Sequence, residues 1–400
     1  MRPTRRIMPS VLLLLLSALG ILIPLLAAAG LIIWMWRSPT ENSSLANLAL
    51  LSGACLALLI ALLNVSALYY TLRYLSGRQV SVYHRSLLRP AIVFGVLWVL
   101  ILAAGMAASN SEPYWSLLAP LSVLGVALPA WLLVELGRRG LARTTALREW
   151  GTLTIGLSAT PLFIMLMEII LVMVVVLAVL LLVGLNSPLL EQLIALPQQL
   201  DQTSQGMQAL ENLLSILFSE PLIAAAVFII VGFIAPLIEE LIKPLAVWLL
   251  LNRPLAEREG FMLGLISGGA FALLESASLV SQIDPASWLP AVALRTATAV
   301  LHIGLSGMLG YGITYAWNHK NAGTAARYLF SAVGLHGFWN AMALVSGFSA
   351  ISATSDALKI TLTDILPLFF MGLIFMLVIL MVNRINQLLR TQPSNPQQNP

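Results

Sequence analysis

Apolar runs of about 20 residues recur along this 400-residue chain, and their length limits what it can fold into. A helix of that length crosses a hydrocarbon core of about 30 Å. Composition agrees, because 59% of the residues are hydrophobic and only 10% are charged, against about 25% in soluble domains. The sequence predicts an all-α, polytopic helix bundle in the cell membrane, with about ten spans at 11–33, 45–70, 90–108, 116–136, 161–184, 220–251, 260–281, 288–316, 325–348 and 364–382.

Basic residues are concentrated in alternate loops between these spans. If the N-terminus is cytoplasmic, 17 of the 21 Lys and Arg lie on the cytoplasmic side. Arg37 and Lys359 fall outside, while Lys243 and Arg295 lie within spans. The positive-inside rule therefore predicts that both termini are cytoplasmic. No aromatic platform is interleaved with the basic clusters, so we expect the lipid bilayer, and not nucleic acid, as the partner.

The first span is preceded by Arg2, Arg5 and Arg6 and contains the run Ala27–Ala29, as a signal peptide would. Its apolar stretch is long for a signal peptide, so we expect an uncleaved anchor. Cleavage would leave the topology of the other nine helices unchanged.

Intramembrane charge is concentrated in the four spans from 220 to 348. Met207, Leu210, Leu214 and Leu217 recur at helical spacing in the segment before them, which favours an interfacial helix, with a lid over a substrate entrance as the alternative. The predicted segments are supporting helices of open role (1–184), an extracytoplasmic amphipathic linker (185–219), the working bundle (220–348), a last transmembrane helix (349–390) and a disordered tail (391–400).

The sixth span places Glu239, Glu240 and Lys243 inside an apolar run. Charges at this depth cost about 2.5–3.5 kcal/mol on insertion scales, so they should face protein or trapped water. We expect Lys243 to pair with Glu239 at i,i+4, which would leave Glu240 available for chemistry. A buried ion pair that only locks two helices is the alternative. Pro236 and Pro244 predict a kinked or broken helix beside a cavity.

Further polar residues follow in the next three spans. Glu275 lies in the seventh, Arg295 and His302 share one face of the eighth, and His336 and Asn340 are one turn apart in the ninth. Arg295 lies nearer the outer surface, where it would snorkel, bind a carboxylate or serve a purely structural role. Glu240, Glu275, His302 and His336 are predicted to surround one polar cavity that Asn340 also lines.

Glutamate and histidine in such a cavity can activate water and protonate a leaving group, and an asparagine can stabilise an oxyanion. The same donors could bind Zn²⁺. No His-Glu-x-x-His helix is present, so the strongest local zinc pattern is missing. A proton- or ion-coupled transporter or channel is one alternative, although it predicts repeats and none is visible. A non-catalytic membrane scaffold is another.

At these residues the sequence resembles the PrsW family of intramembrane proteases, which is distantly similar to the CAAX prenyl protease and bacteriocin-processing group. The resemblance covers about residues 220–345 and rests on four ordered motifs. The family commonly follows the second motif with Asn and then an aromatic, where this chain has Ser276 and Leu279. The motifs are Glu239-Glu240-x-x-Lys243, Phe271-Ala272-x-x-Glu275, Arg295 followed by His302, and His336-x-x-x-Asn340.

The resemblance implies hydrolysis of a peptide bond in a membrane-anchored protein, within or near the bilayer. It implies a catalytic set of Glu239, Glu240, Glu275, His302, His336 and Asn340, supported by Lys243 and Arg295. The family is often classed as metallopeptidase, whereas the CAAX-type relatives look like metal-independent glutamate enzymes. With a metal, the expected ligands are His302, His336 and Glu275. We favour Glu240 as the general base.

Overall fold

The computed structural model describes residues 7–37, 44–78, 88–183, 221–280, 284–352 and 362–391. These residues form helices and no strand. The predicted linker 185–219 and the tail after Thr391 lie outside them. The α-helices are α1 (Ile7–Arg37), α2 (Ser44–Leu75), α3 (Leu88–Ser109), α4 (Leu118–Gly137), α5 (Ala146–Leu157), α6 (Ala159–Val183), α7 (Pro221–Ile229), α8 (Ala235–Ile242), α9 (Leu245–Leu250), α10 (Glu257–Val280), α11 (Trp288–His319), α12 (Ala322–Ser352) and α13 (Leu362–Thr391).

Ten helical stretches in the described residues are long and apolar enough to cross a membrane, one for each predicted span. The protein is therefore a multi-pass integral membrane protein. The fifth stretch differs most, because it begins at Ala146 and not near 161. The Thr145 hydroxyl accepts a hydrogen bond from the Arg148 N–H and so caps α5 at that point. The last helix continues to Thr391, past the predicted end at 382.

The described helices divide into two compact units, which are not continuous in sequence. The first comprises the described parts of 1–162, 240–332 and 375–400, and the second those of 163–239 and 333–374. The predicted boundaries at 184 and 220 concern function and stay a prediction.

The first unit is centred on α10 and α11. Phe261, Leu265, Leu305 and Met308 are fully buried there, which is how these two comparatively polar helices acquire a core. At the start of α11, the indole of Trp288 is buried and its Nε1–H donates to the Ser122 hydroxyl of α4 at 2.8 Å. This hydrogen bond satisfies the polar edge of a large apolar ring.

A buried charge cluster joins α4 to α5 in the first unit. Arg138 pairs with Glu135 and, at 3.1 Å, with Glu149, and Arg143 lies 2.8 Å from Glu149. Arg138 and Arg143, which the positive-inside argument counted as cytoplasmic, thus form ion pairs with carboxylates. The cluster borders an apolar cavity of about 390 Å³ between α2, α4, α5 and α10.

In the second unit, α7 continues into a π-helical segment, Ile230–Ile234, and then into α8. Pro236 has no N–H to offer the carbonyl four residues earlier, that of Gly232, and its ring crowds that carbonyl. The wider π turn relieves this conflict. A Cβ atom at Gly337 of α12 would overlap the Gly232 carbonyl oxygen, so the two backbones approach closely only because Gly337 has no side chain.

Candidate active site

The helix that carries the paired glutamates is interrupted on both sides of them. The π-helical segment ends at Ile234, and α8 ends at Ile242, so that Lys243 and Pro244 lie in a turn before α9. The prediction of a broken helix is confirmed. The break at Pro244 has a chemical consequence, because Lys243 no longer projects from a regular helix.

Lys243 is completely buried, and its ammonium lies among three groups of the first unit. Its Nζ donates to Glu240 Oε1 at 2.8 Å and lies 2.8 Å from His302 Nδ1. It also sits over the Phe271 ring, 4.5 Å from the centroid, as in a cation–π contact. We expected Lys243 to leave Glu240 available, but the structure makes Glu240 a carboxylate partner of the lysine. Glu240 is three residues before Lys243, and i,i+3 neighbours on a helix face each other as i,i+4 neighbours do, so the spacing argument did not exclude it.

His302 continues this network towards Glu275. Its Nε2 lies 2.7 Å from Glu275 Oε2, and the same oxygen is 2.8 Å from Arg295 Nη2. An ammonium can only donate hydrogen bonds, so His302 Nδ1 is the acceptor and Nε2–H is the donor to Glu275. The result is a continuous chain of contacts from Glu240 through Lys243, His302 and Glu275 to Arg295.

Glycines of α10 set the register that brings these side chains together. A Cβ at Gly264 would overlap the carbonyl oxygen of Ser306, and one at Gly268 would overlap that of His302. The two helices are antiparallel. Glu275, seven residues after Gly268, therefore lies opposite Arg295, seven residues before His302. Close contact through small residues therefore aligns the carboxylate with both of its basic partners.

A second group of predicted residues lies in the second unit. His336 Nε2 is 3.8 Å from Glu239 Oε2, and both side chains are largely buried. Asn340, one turn after His336, donates its Nδ2–H to the Val231 carbonyl in the π-helical segment at 3.2 Å. This bond ties α12 to the turn that precedes Glu239. Glu239 and Glu240 are consecutive, so the two groups adjoin along the chain.

Three further residues contact the chain that runs from Glu240 to Arg295, and the sequence did not predict these contacts. Phe271 belonged to a motif, yet its ring faces Lys243 and also lies edge-on to His302, with 5.2 Å between centroids. Ser267 donates to the Lys243 carbonyl, which the broken helix leaves without its usual partner. Ser276, noted as a departure from the family pattern, accepts a hydrogen bond from Arg295 Nε at 3.3 Å.

Metal-binding capacity differs between the two groups. A separation of 3.8 Å between His336 Nε2 and Glu239 Oε2 is too long for a direct hydrogen bond. It is close to the spacing of two ligands on one tetrahedral Zn²⁺, about 3.3 Å for bonds of about 2.0–2.1 Å. Glu239 and His336 are therefore spaced for a metal ion, whereas two of the three expected ligands, Glu275 and His302, bond to each other and the third is His336 itself.

Comparison with known proteins identifies the family of the chain. The model of the PrsW family intramembrane metalloproteases matches residues 160–383, which is more than half of the chain. The match contains all of the residues above and extends beyond the range 220–345 that the motifs cover. No curated protein and no solved structure matches the chain. The chain therefore belongs to the PrsW family of intramembrane metalloproteases.

Proposed function

We propose that this protein cleaves a peptide bond of a membrane-anchored protein, using a water molecule held between Glu239 and His336. The observation that carries the proposal is the 3.8 Å separation of Glu239 Oε2 and His336 Nε2. A water placed about 2.8 Å from each atom would bridge them, which a directly bonded pair would prevent.

Glu239 is the general base in this proposal. Its carboxylate takes a proton from the water as the water oxygen attacks the carbonyl carbon of the scissile bond. The proton then passes to the departing amine nitrogen as the carbon–nitrogen bond breaks. His336 orients the water, and Asn340 orients His336 indirectly by bonding the Val231 carbonyl across from its helix.

The network of the first unit is assigned a positioning role. Glu240 follows Glu239 directly, and its pairing with Lys243 restrains the backbone that also carries the base. His302, Glu275 and Arg295 extend this restraint across α10 and α11. This assignment replaces our preference for Glu240 as the base, because Glu240 Oε1 already accepts from an ammonium.

The family description implies a metal ion, and Glu239 and His336 are the residues that would hold it. A bound Zn²⁺ would polarise the water and the scissile carbonyl. A carboxylate that holds the ion would not also serve as the free base, so Glu239 would act as a ligand in a metal-bound form and as the base without a metal.

The test is cleavage of single-pass membrane proteins by the full chain, purified and reconstituted in lipid vesicles, with fragments identified by mass spectrometry. The matched variant is Glu239→Gln, which keeps size and hydrogen bonding but cannot accept the proton. We expect turnover to fall at least 100-fold with an unchanged melting temperature. Wild-type turnover in a folded Glu239→Gln variant would remove Glu239 as the base. No cleavage of any candidate by wild-type protein would favour a scaffold or transporter instead.

A further inference from the structure

Another cavity, of about 420 Å³, lies within the first unit where α11 ends and α12 begins. Its size is in the range of about 300–1,000 Å³ that is typical of small-molecule sites. Arg327 brings a positive charge to this cavity, and Met381 of α13 gives it an apolar edge. The other lining residues each carry a hydroxyl or an amide, and they are Tyr311, Tyr315, Tyr328, Asn321, Thr324 and Ser331.

Arg327 has no carboxylate partner among the described residues. Its Nη2–H donates to the Thr324 hydroxyl, one turn earlier in α12, at 3.3 Å. Glu257, at the start of α10, is bonded instead to His319 at 2.8 Å. A guanidinium has five N–H donors, and its fork matches the oxygens of a phosphate group. The side chain therefore retains donors for an anionic ligand.

The three tyrosines of the cavity are packed against one another. The Tyr311 ring meets the Tyr328 ring edge-on, with 5.5 Å between centroids, and lies 5.9 Å from the Tyr315 ring. A Cβ at Gly312 would overlap the Tyr328 side chain, which thus packs directly on the backbone of α11. Within the described part of the chain, their phenol hydroxyls have no hydrogen-bond partner, so they too can donate to an anion.

The position of the cavity favours a lipid as the ligand. Since α11 ends at His319 and α12 begins at Ala322, the cavity adjoins the connection between two spans, on the side predicted to be cytoplasmic. Leu377 of α13, one turn from Met381 towards the membrane interior, is exposed. A ligand with its phosphate in the cavity could therefore extend an acyl chain along α13.

We propose that this cavity binds the headgroup of an anionic phospholipid, with the phosphate at Arg327 and the tyrosine hydroxyls as further donors. Basic pockets between transmembrane helices at the cytoplasmic face recognise such headgroups. None of the lining residues belongs to the Glu239–His336 pair or to the network around Lys243. The proposal goes beyond the cleavage reaction and does not require it.

The experiment titrates the full chain in neutral detergent with phosphatidylglycerol and measures bound lipid by native mass spectrometry. One molecule per chain should bind about tenfold more tightly than phosphatidylcholine with the same acyl chains, whose choline cation is repelled by Arg327. Arg327→Gln should weaken phosphatidylglycerol binding about tenfold, and Tyr328→Phe about threefold. Lys320→Gln is the matched control and should bind as wild type does. It removes a positive charge from the same connection, but Lys320 packs on the Trp317 ring and does not line the cavity.

Equal losses in Arg327→Gln and Lys320→Gln would mean that only the overall charge of this surface matters, and would overturn the proposal. Unchanged affinity in Arg327→Gln, or equal binding of the two lipids, would do the same. Glycerol phosphate, which has no acyl chain, should bind far more weakly, and equal affinity would assign the cavity to a soluble phosphate compound.

The melting temperature of each variant shows whether it is folded. If Arg327→Gln does not fold, Tyr328→Phe is compared with Tyr114→Phe, which removes an exposed hydroxyl outside the cavity. A loss of affinity in both variants, or in neither, would refute the site. Because the readout is lipid binding, failure here is distinct from failure of the Glu239→Gln cleavage assay.

Discussion

Lys243 and Glu240 form a fully buried ion pair three residues apart, with 2.8 Å between Nζ and Oε1. Removing one member of such a pair leaves an uncompensated charge. Neutralising Glu240 should therefore lower the stability of the fold, whereas neutralising its neighbour Glu239 should not.

Glu240→Gln should destabilise the protein by about 3–5 kcal/mol, since it leaves Lys243 without its carboxylate charge. Thermal or denaturant unfolding in detergent measures this. Glu239→Gln is the matched control, with the same chemical change one residue earlier and little expected loss of stability. If both variants were equally stable, Glu240 would not have the structural role assigned here.

Gly337→Ala should abolish cleavage, because the added methyl group would overlap the Gly232 carbonyl and push α12 away from the π-helical segment. Gly334→Ala, one turn earlier in the same helix, is the control, since a Cβ there has no neighbour within 4 Å. We expect it to retain full turnover. Similar turnover in the two variants would show that the close approach at Gly337 does not position the reactive residues.

Arg295→Gln should lower turnover about 10- to 100-fold, the usual effect of losing an outer side chain that orients the residues supporting a site. Arg295 acts on Glu275 at 2.8 Å, and Glu275 in turn orients His302. Steady-state cleavage kinetics should show the loss in kcat, with KM changed little. Arg295→Lys, which keeps the charge, should recover part of the rate. A lysine variant no better than glutamine would indicate that the two-nitrogen contact to Glu275 and Ser276 is required.

Topology gives a further prediction. Both termini and the loops at 71–89 and 137–160 should be cytoplasmic, and the segment 185–219 should be outside. Cys55 is the chain's single cysteine, so a Cys55→Ser background accepts one engineered cysteine at Gln205 for labelling. An impermeant reagent should label it in intact cells. Labelling only after lysis would reverse the orientation.

The ten spans could be predicted because length and hydropathy are properties of one segment at a time. The start of the fifth span could not, since Arg148 and Glu149 make its first turns look like a loop. Their charges are compensated by Glu259 of α10 and by Arg143, just before the helix.

The partner of Lys243 could not be predicted because two glutamates lie within one helical turn of it. A helix brings Lys243 within one turn of both Glu239, at i,i+4, and Glu240, at i,i+3, so spacing alone does not choose between them. In the structure Lys243 lies between Glu240 and His302. The pairing of Glu275 with Arg295 depends in turn on a helix register set by backbone contacts. The close contacts of Gly264 with Ser306 and of Gly268 with His302 join distant parts of the chain and could be identified only in three dimensions.

The contact between α10 and α11 also bears on how a substrate reaches the enzyme. Where Gly264 meets Ser306 and Gly268 meets His302, the two backbones leave no room for even a methyl group. A polypeptide could enter between these helices only by separating them and breaking the bonds from Glu275 to His302 and Arg295. The interface between α10 and α11 is therefore closed to a polypeptide for as long as these contacts hold.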